Sequence, residues 1–439
     1  MSSIKRLLLV IAVMGLIQAV PEIDVGDDPN ARGARLVLGI GFVLVASWFV
    51  GRLFSTIGLP KLTGYLATGI VCGPALLSYL DHETVTSMGL VNGMAISLIA
   101  LTAGSEMDFR AMKPLLKSIA WISLVAVVGT AFLLTLTVYS LSSELAFMSE
   151  MTTSGKLAVA AVIGVVVVAQ SPAVVVAIRA ETGADGPVAR TVLGVVVLAD
   201  LLVIVLFAIM SSIANGVLSG TVNFGETAGR VSWELFGSLG IGAVIGLLLG
   251  AWQRFVGDRG LDLFVLAVCF VSAEVGRRLH LDPLLLMLAA GMFVENVART
   301  GAGLRHAFED ASLPVYILFF TVAGASIHLD LIPLVLLPAI VLILVRSFGL
   351  VAGSWLGAHI AGAAPEVKKL AGFGLLPQAG LAIALSLLFA RTFPEFGEAA
   401  SALTLGIVAI NEIIAPAIFR IALLRSGEGR EIAGPKVEH

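Results

Sequence analysis

Charge is what this chain most lacks. Only 13% of its 439 residues are Asp, Glu, Lys or Arg, against about 25% in soluble domains. With 58% hydrophobic residues and a mean hydropathy of +1.02, the composition excludes a water-soluble globular fold. The net charge of −3 is too small to argue for nucleic acid or an acidic surface partner. Cysteine is nearly absent. Cys72 and Cys269 both lie inside apolar runs without ligand spacing, so they read as packing residues and no disulfide framework can be built. No constellation for covalent chemistry is present, so the chain does not read as an enzyme and no cofactor is implied.

What the chain does have is long apolar runs. Fourteen of them approach the length that crosses about 30 Å of hydrocarbon, the first at 5–20 and the last at 399–424. The fold class is therefore all-α and integral to a lipid bilayer, with 13–14 transmembrane helices. In Met1–Val20, Lys5 and Arg6 precede a short apolar core, the pattern of a signal peptide as much as of an extra helix. Asp24, Asp27 and Asp28 follow, which suits a non-cytoplasmic loop within an N-terminal segment 1–34. Most of the 27 Lys and Arg fall on one side of the alternating runs. The positive-inside rule places both ends in the cytoplasm if the first run is retained, and a bacterial inner membrane is the expected location. The cytoplasmic tail Arg425–His439 reads as short, polar and loose.

Three stretches recur in the same order. Leu59–Ile70 opens a span after Pro60, and Leu281-Asp282-Pro283 opens a similar one. Thr102–Phe109 and Val322–Asp330 each end a span. Gly194–Phe207 aligns without gaps with Gly406–Phe419, setting Ala199 against Asn411 and Asp200 against Glu412. The paired spans are an odd number of helices apart, so the second copy enters the membrane the other way round. This predicts two inverted-topology repeats, the architecture of many secondary transporters, at 35–214 and 260–424 with a linker helix in 215–259.

Asp200 is the centre of the chain's chemistry, with apolar residues for more than a turn on either side. An acid at mid-membrane costs about 2.5–3.5 kcal/mol on insertion scales, so it calls for a function. Gly- or Pro-interrupted spans at matching places in the two halves point to a binding site. Here they are Val165–Ala177, holding Gln170, Ser171 and Pro172, and Gly372–Ala382, holding Pro377 and Gln378. Each proline removes a backbone N–H and clashes with the preceding turn, freeing carbonyls to face a shared cavity. Gln170, Ser171 and Gln378 add neutral oxygens, which suit a small monovalent cation. Arg346 and Glu412 also lie at depth. A guanidinium in hydrocarbon should find an acid, and both Glu412 and Asp200 are candidates. Glu106, Glu274 and Glu295, near span ends, read as solvated or interfacial, as does His328 beside Asp330.

The Leu59–Pro74 run, Leu101–Phe109, Pro314–Asp330, Leu375–Ala382 and the acid at Asp200 together resemble the sodium/proton exchanger domain of monovalent cation:proton antiporters, on the Kef-like and NapA-like side. The resemblance spans about 35–424. It implies six core helices, two broken helices crossing near the midplane, a separate dimerisation domain, a homodimer and an elevator-like motion. It maps the family's ion-binding aspartate onto Asp200 and its embedded basic residue onto Arg346. The chain departs from the pattern at Ala199, where the family has Asp or Asn, and at Val195, where many electroneutral members have glutamate. It departs again at Gln170-Ser171-Pro172, where many have Thr-Asp-Pro, and the nucleotide-binding domain of Kef systems is not expected within these residues.

The expected activity is antiport of Na+ or K+ against H+, the two competing for one carboxylate at Asp200. Ala199 and Arg346 favour one-for-one, electroneutral exchange. Two rivals predict different behaviour: a sodium-coupled organic anion symporter, in which sodium and substrate move together, and a non-transporting sensor or structural subunit.

Overall fold

The computed structural model describes residues 30–430 apart from 220–224, 226–228, 230–231, 258–259, 280, 300, 328–331 and 394. The apolar run at 5–20, the acids that follow it, His328 and Asp330 lie outside the described residues. Among the described residues all regular structure is helical.

In chain order the helices are α1 (Asn30–Thr56), α2 (Lys61–Cys72), α3 (Gly89–Ser105), α4 (Phe109–Ser140) and the interrupted pair α5 (Thr153–Val168) and α6 (Pro172–Thr182). Then come α7 (Pro187–Ser219), α8 (Trp233–Phe255), α9 (Leu261–Leu279), α10 (Pro283–Ala298), α11 (Gly301–Ala325) and α12 (Ile332–Ala361). A second interrupted pair, α13 (Pro365–Leu375) and α14 (Gly380–Thr392), precedes α15 (Gly397–Arg425).

Each of the thirteen apolar runs beyond residue 35 coincides with a helix or an interrupted pair, but they are unequal in length. Among the described residues seven are long and apolar enough to cross a membrane, and α13 with α14, bent by 44° at their break, make an eighth. The rest fall short for local reasons. Gly73-Pro74 stops α2 after 12 residues, because proline cannot continue the backbone ladder. The 19 residues of α9 include Asp262, Glu274, Arg277 and Arg278. The apolar parts of α3, α10 and α11 are short segments, Gly93–Ser105, Pro283–Ala298 and Leu313–Ala325.

Lipid tails are as apolar as leucine, so helices in a bilayer associate through close packing at small residues. Two crossings show this, and both join an early helix to a late one. Where α2 meets α11, a methyl group on Gly69 would overlap the carbonyl oxygen of Thr321, and one on Gly324 that of Leu66. Where α3 meets α10, a methyl on Gly104 would overlap the carbonyl oxygen of Leu288, and one on Gly291 that of Leu101.

Polar side chains secure the helix ends. Both carboxylate oxygens of Glu181, at the end of α6, accept from the backbone N–H of Lys61 at 3.0 Å, at the start of α2. The start of the tail read as loose is docked as far as residue 430, and the rest of it lies outside the described residues. Glu428 accepts from the N–H groups of Val188 (2.7 Å) and Ala189 (2.8 Å), and the N–H of Arg430 donates to the carbonyl of Thr182 at 3.0 Å. The first N–H groups of a helix have no partner within it and draw a carboxylate. Polar composition alone does not reveal that attraction.

Candidate functional site

The two interrupted helices meet at their breaks. α5 ends at Val168, and the chain runs extended through Ala169–Ser171 before α6 begins. Pro172 is the first residue of α6, where its missing N–H costs nothing and its fixed φ suits the helix. The Ser171 hydroxyl accepts from the N–H of Val174 at 3.3 Å, capping the new helix. In the second pair, α13 gives way at Leu376, and Pro377 and Gln378 lie in the non-helical stretch before Gly380. Gln378 joins the two breaks. Its amide donates to the carbonyl of Val167 at 2.7 Å, and its side-chain oxygen accepts from Asn411 at 2.7 Å.

Arg346, on α12, is fully buried beside this junction, and it pairs with neither candidate acid. Its Nε donates to the carbonyl of Val167 (2.8 Å), Nη1 to Leu376 (2.7 Å), and Nη2 to Ala169 (2.9 Å) and Leu375 (3.4 Å). The expectation of an acidic partner is therefore corrected. Each break strands the last carbonyls of a helix, which carry the negative end of its dipole. Two such ends supply enough acceptors for a guanidinium fork with five N–H donors and no acceptor.

The opposite ends of the half-helices, with their N–H groups, face Asp200. A cavity of about 140 Å³ is lined by Gln170, Ser171, Pro172 and Ala173 at the start of α6, and by Gly380 and Leu381 at the start of α14. Asp200 enters it from α7 and is only 6% exposed. Its Oδ1 has no hydrogen-bond partner, and neither polar atom of the fully buried Gln170 side chain has one. The cavity thus holds a carboxylate oxygen and an amide oxygen with unused lone pairs, beside two helix N-termini that favour negative charge. A desolvated carboxyl with no fixed partner takes either a proton or a metal cation.

The other residues singled out by sequence divide into three groups. Asp200, Gln170, Ser171 and Pro172 share the cavity, while Arg346, Pro377, Gln378 and Asn411 form the joint behind it. Glu412 stands apart. It is buried, both carboxylate oxygens lack partners, and it lines a separate cavity of about 30 Å³ with Ser326 and Ile383. Glu274 belongs to surface ion pairs with Arg277 and Arg278, as its position near a span end suggests. Glu106, at the end of α3, is half-buried and pairs at 2.6 Å with the buried Arg179, which also reaches Asp185 at 3.3 Å. Arg179 follows the uninterrupted apolar stretch of α6, so its burial depends on where that helix ends.

Sequence reasoning missed Asp282, which also lines the Asp200 cavity. Its only signal was an acid before Pro283 and an apolar run, which reads as a helix N-cap. It is one, accepting from the N–H of Leu285 at 2.7 Å.

Interrupted helices joined at mid-fold, a buried carboxylate in a small cavity and a fixed cation behind it define a membrane ion carrier. The chain belongs to the sodium/hydrogen exchanger family: the sequence profile described as "Sodium/hydrogen exchanger, transmembrane" matches residues 41–425. It is an integral membrane protein of the monovalent cation:proton antiporter kind. No curated protein matches it by sequence. Its fold is similar to two structures of the sodium proton antiporter MjNhaP1 from Methanocaldococcus jannaschii. One, at pH 8, has a TM-score of 0.65 at 15% identity and covers 90% of this chain and 98% of that one. The other, an electron-microscopy map, has a TM-score of 0.67 at 17% identity and covers 89% and 97%.

Proposed function

We propose that this protein exchanges Na+ or K+ for H+, one for one, and that the two ions compete for the Asp200 carboxyl. The observation that carries the reading is the unpartnered Oδ1 of Asp200 in a cavity shared with the unpartnered side chain of Gln170. A proton neutralises Asp200 in one state. In the other a dehydrated cation does so, with Gln170 and Ser171 supplying neutral oxygens. The carrier turns over only in these two forms, and that restriction makes the transport an exchange.

The residues around the site assign the remaining roles. Arg346 and Gln378 hold the two breaks together so that α5, α6, α13 and α14 travel as one body with α12 and with α7, which packs on α5 and carries Asp200. The guanidinium is a fixed charge bound to backbone, so each cycle moves one charge-compensated carboxyl, and Ala199 adds no second acid on α7. Two inverted repeats at 35–214 and 260–424 are supported by the paired glycine crossings, α2 on α11 and α3 on α10. On this reading the protein works as a homodimer by an elevator motion, in a bacterial inner membrane with the C-terminus cytoplasmic.

Organic anion symport is disfavoured by a cavity of about 140 Å³ that holds acids, where pockets for organic ligands run to about 300–1,000 Å³. Addition of Na+ or K+ to the purified protein in weak buffer tests the proposal. Wild type should release protons, and Asp200→Asn should release none. Absence of release from wild type would favour a non-transporting subunit. Current that scales with membrane potential in proteoliposomes would overturn one-for-one exchange.

A further inference from the structure

Asp200 is not the only carboxylate in its cavity. Asp282 reaches it from the start of α10, on the wall formed by Pro283, Leu284, Leu285 and Leu288. Asp200 is only 6% exposed, and Asp282, as a residue, is the less covered of the two. Its position is fixed at two points. The side chain caps the N–H of Leu285, and its own N–H donates at 3.1 Å to the hydroxyl of Ser238 on α8. α10 packs chiefly on α3 and α8, and it faces the two breaks held by Arg346 and Gln378 only across the cavity.

We propose that Asp282 is the entrance carboxylate of this carrier, a stationary acid that draws a monovalent cation out of water and passes it to Asp200. This rests on the exchange reading of the cavity and deepens it. Two observations carry it together: the shared cavity, and the buried, unpartnered amide of Gln170 that lines it. A cation shedding water there meets an apolar wall, and a fixed negative charge at the mouth raises its local concentration and offsets desolvation. Because Asp282 belongs to the packing of α8 and α10, it stays behind when Asp200 moves. It therefore sets cation affinity without adding a charge to the transported form.

The test uses purified full-length protein and 22Na+ or 86Rb+ binding at alkaline pH, with exchange measured in proteoliposomes. Asn and Ser cap helices as well as Asp does, so Asp282→Asn and Asp282→Ser remove the charge and keep the cap. Both should weaken cation binding about tenfold, equivalent to about 1.4 kcal/mol. The apparent KM should rise in parallel, with the maximal exchange rate within about twofold of wild type, and Asp282→Glu should restore affinity. Wild-type affinity in Asp282→Asn, or a collapse of maximal rate at unchanged KM, would overturn the inference and leave the exchange proposal standing. Cation binding that depends on Asp282 in a protein that exchanges no protons would do the reverse. A wild type that binds neither cation would overturn both.

Discussion

The side-chain amide of Gln378 donates to the carbonyl oxygen of Val167 at 2.7 Å, so a residue in one helix break satisfies a carbonyl stranded by the other. The two interruptions are therefore one joint. Asn411 on α15 holds the far side of the same amide at 2.7 Å. Removing either partner alone leaves a buried polar group unmet, at about 1–3 kcal/mol. Gln378→Leu and Asn411→Leu should each lower the thermal midpoint in detergent. The double variant should lose less than the sum, with a coupling of about 0.5–3 kcal/mol.

Arg346→Ala should be among the most damaging single changes. It strands the carbonyls of Ala169 and Leu376 and leaves that of Val167 to Gln378 alone, a buried carbonyl without a donor costing about 1–3 kcal/mol. Asp200→Asn and Glu412→Gln should leave the midpoint close to wild type, because neither acid is bonded to the guanidinium. Were either one its true partner, neutralising it would leave a buried unpaired charge and cost about 3–5 kcal/mol. Thermal unfolding of the three variants side by side decides between these outcomes.

The glycine crossings predict a matched set of failures. Gly69→Ala and Gly324→Ala press a methyl into the backbone where α2 meets α11, and Gly104→Ala and Gly291→Ala do so where α3 meets α10. Backbone cannot swing aside as a flexible side chain can, so all four should sharply reduce the yield of monodisperse protein. Gly41→Ala, which meets nothing within 4 Å, should not.

Removing the carboxylate of Glu428 should destabilise the start of the helix that carries Asp200. Loss of a helix cap costs about 0.5–2 kcal/mol. Truncation after Ser426 should lower the thermal midpoint further than Glu428→Ala, since it removes the bonds to Val188 and Ala189 and also that from Arg430 to Thr182.

Asp200 and both breaks were legible in the sequence because each violates a strong local rule. A charge stands in an apolar run, and a proline with polar neighbours stands in another. Arg346 was legible as an anomaly but not in its partners. It binds backbone carbonyls, which every residue has, and only the three-dimensional placement of two breaks makes them available. Asp282 was hidden by a true but incomplete explanation, since a capping aspartate before Pro283 needs no further role. The end of α2 was not legible, because hydropathy runs on through Gly73-Pro74 while the helix does not. Glu428 was missed because its partners are amide groups some 240 residues earlier in the chain.

The crossing of α2 with α11 also governs how the protein can be made. α2 has only 12 residues, and the wall that closes over Gly69 is synthesised roughly 250 residues later. Contacts so distant in sequence form late and slowly. The nascent chain must therefore keep a stub too short to cross the bilayer parked beside α1 until Thr321 emerges. Closing that seam therefore waits on a segment made long after α2 itself.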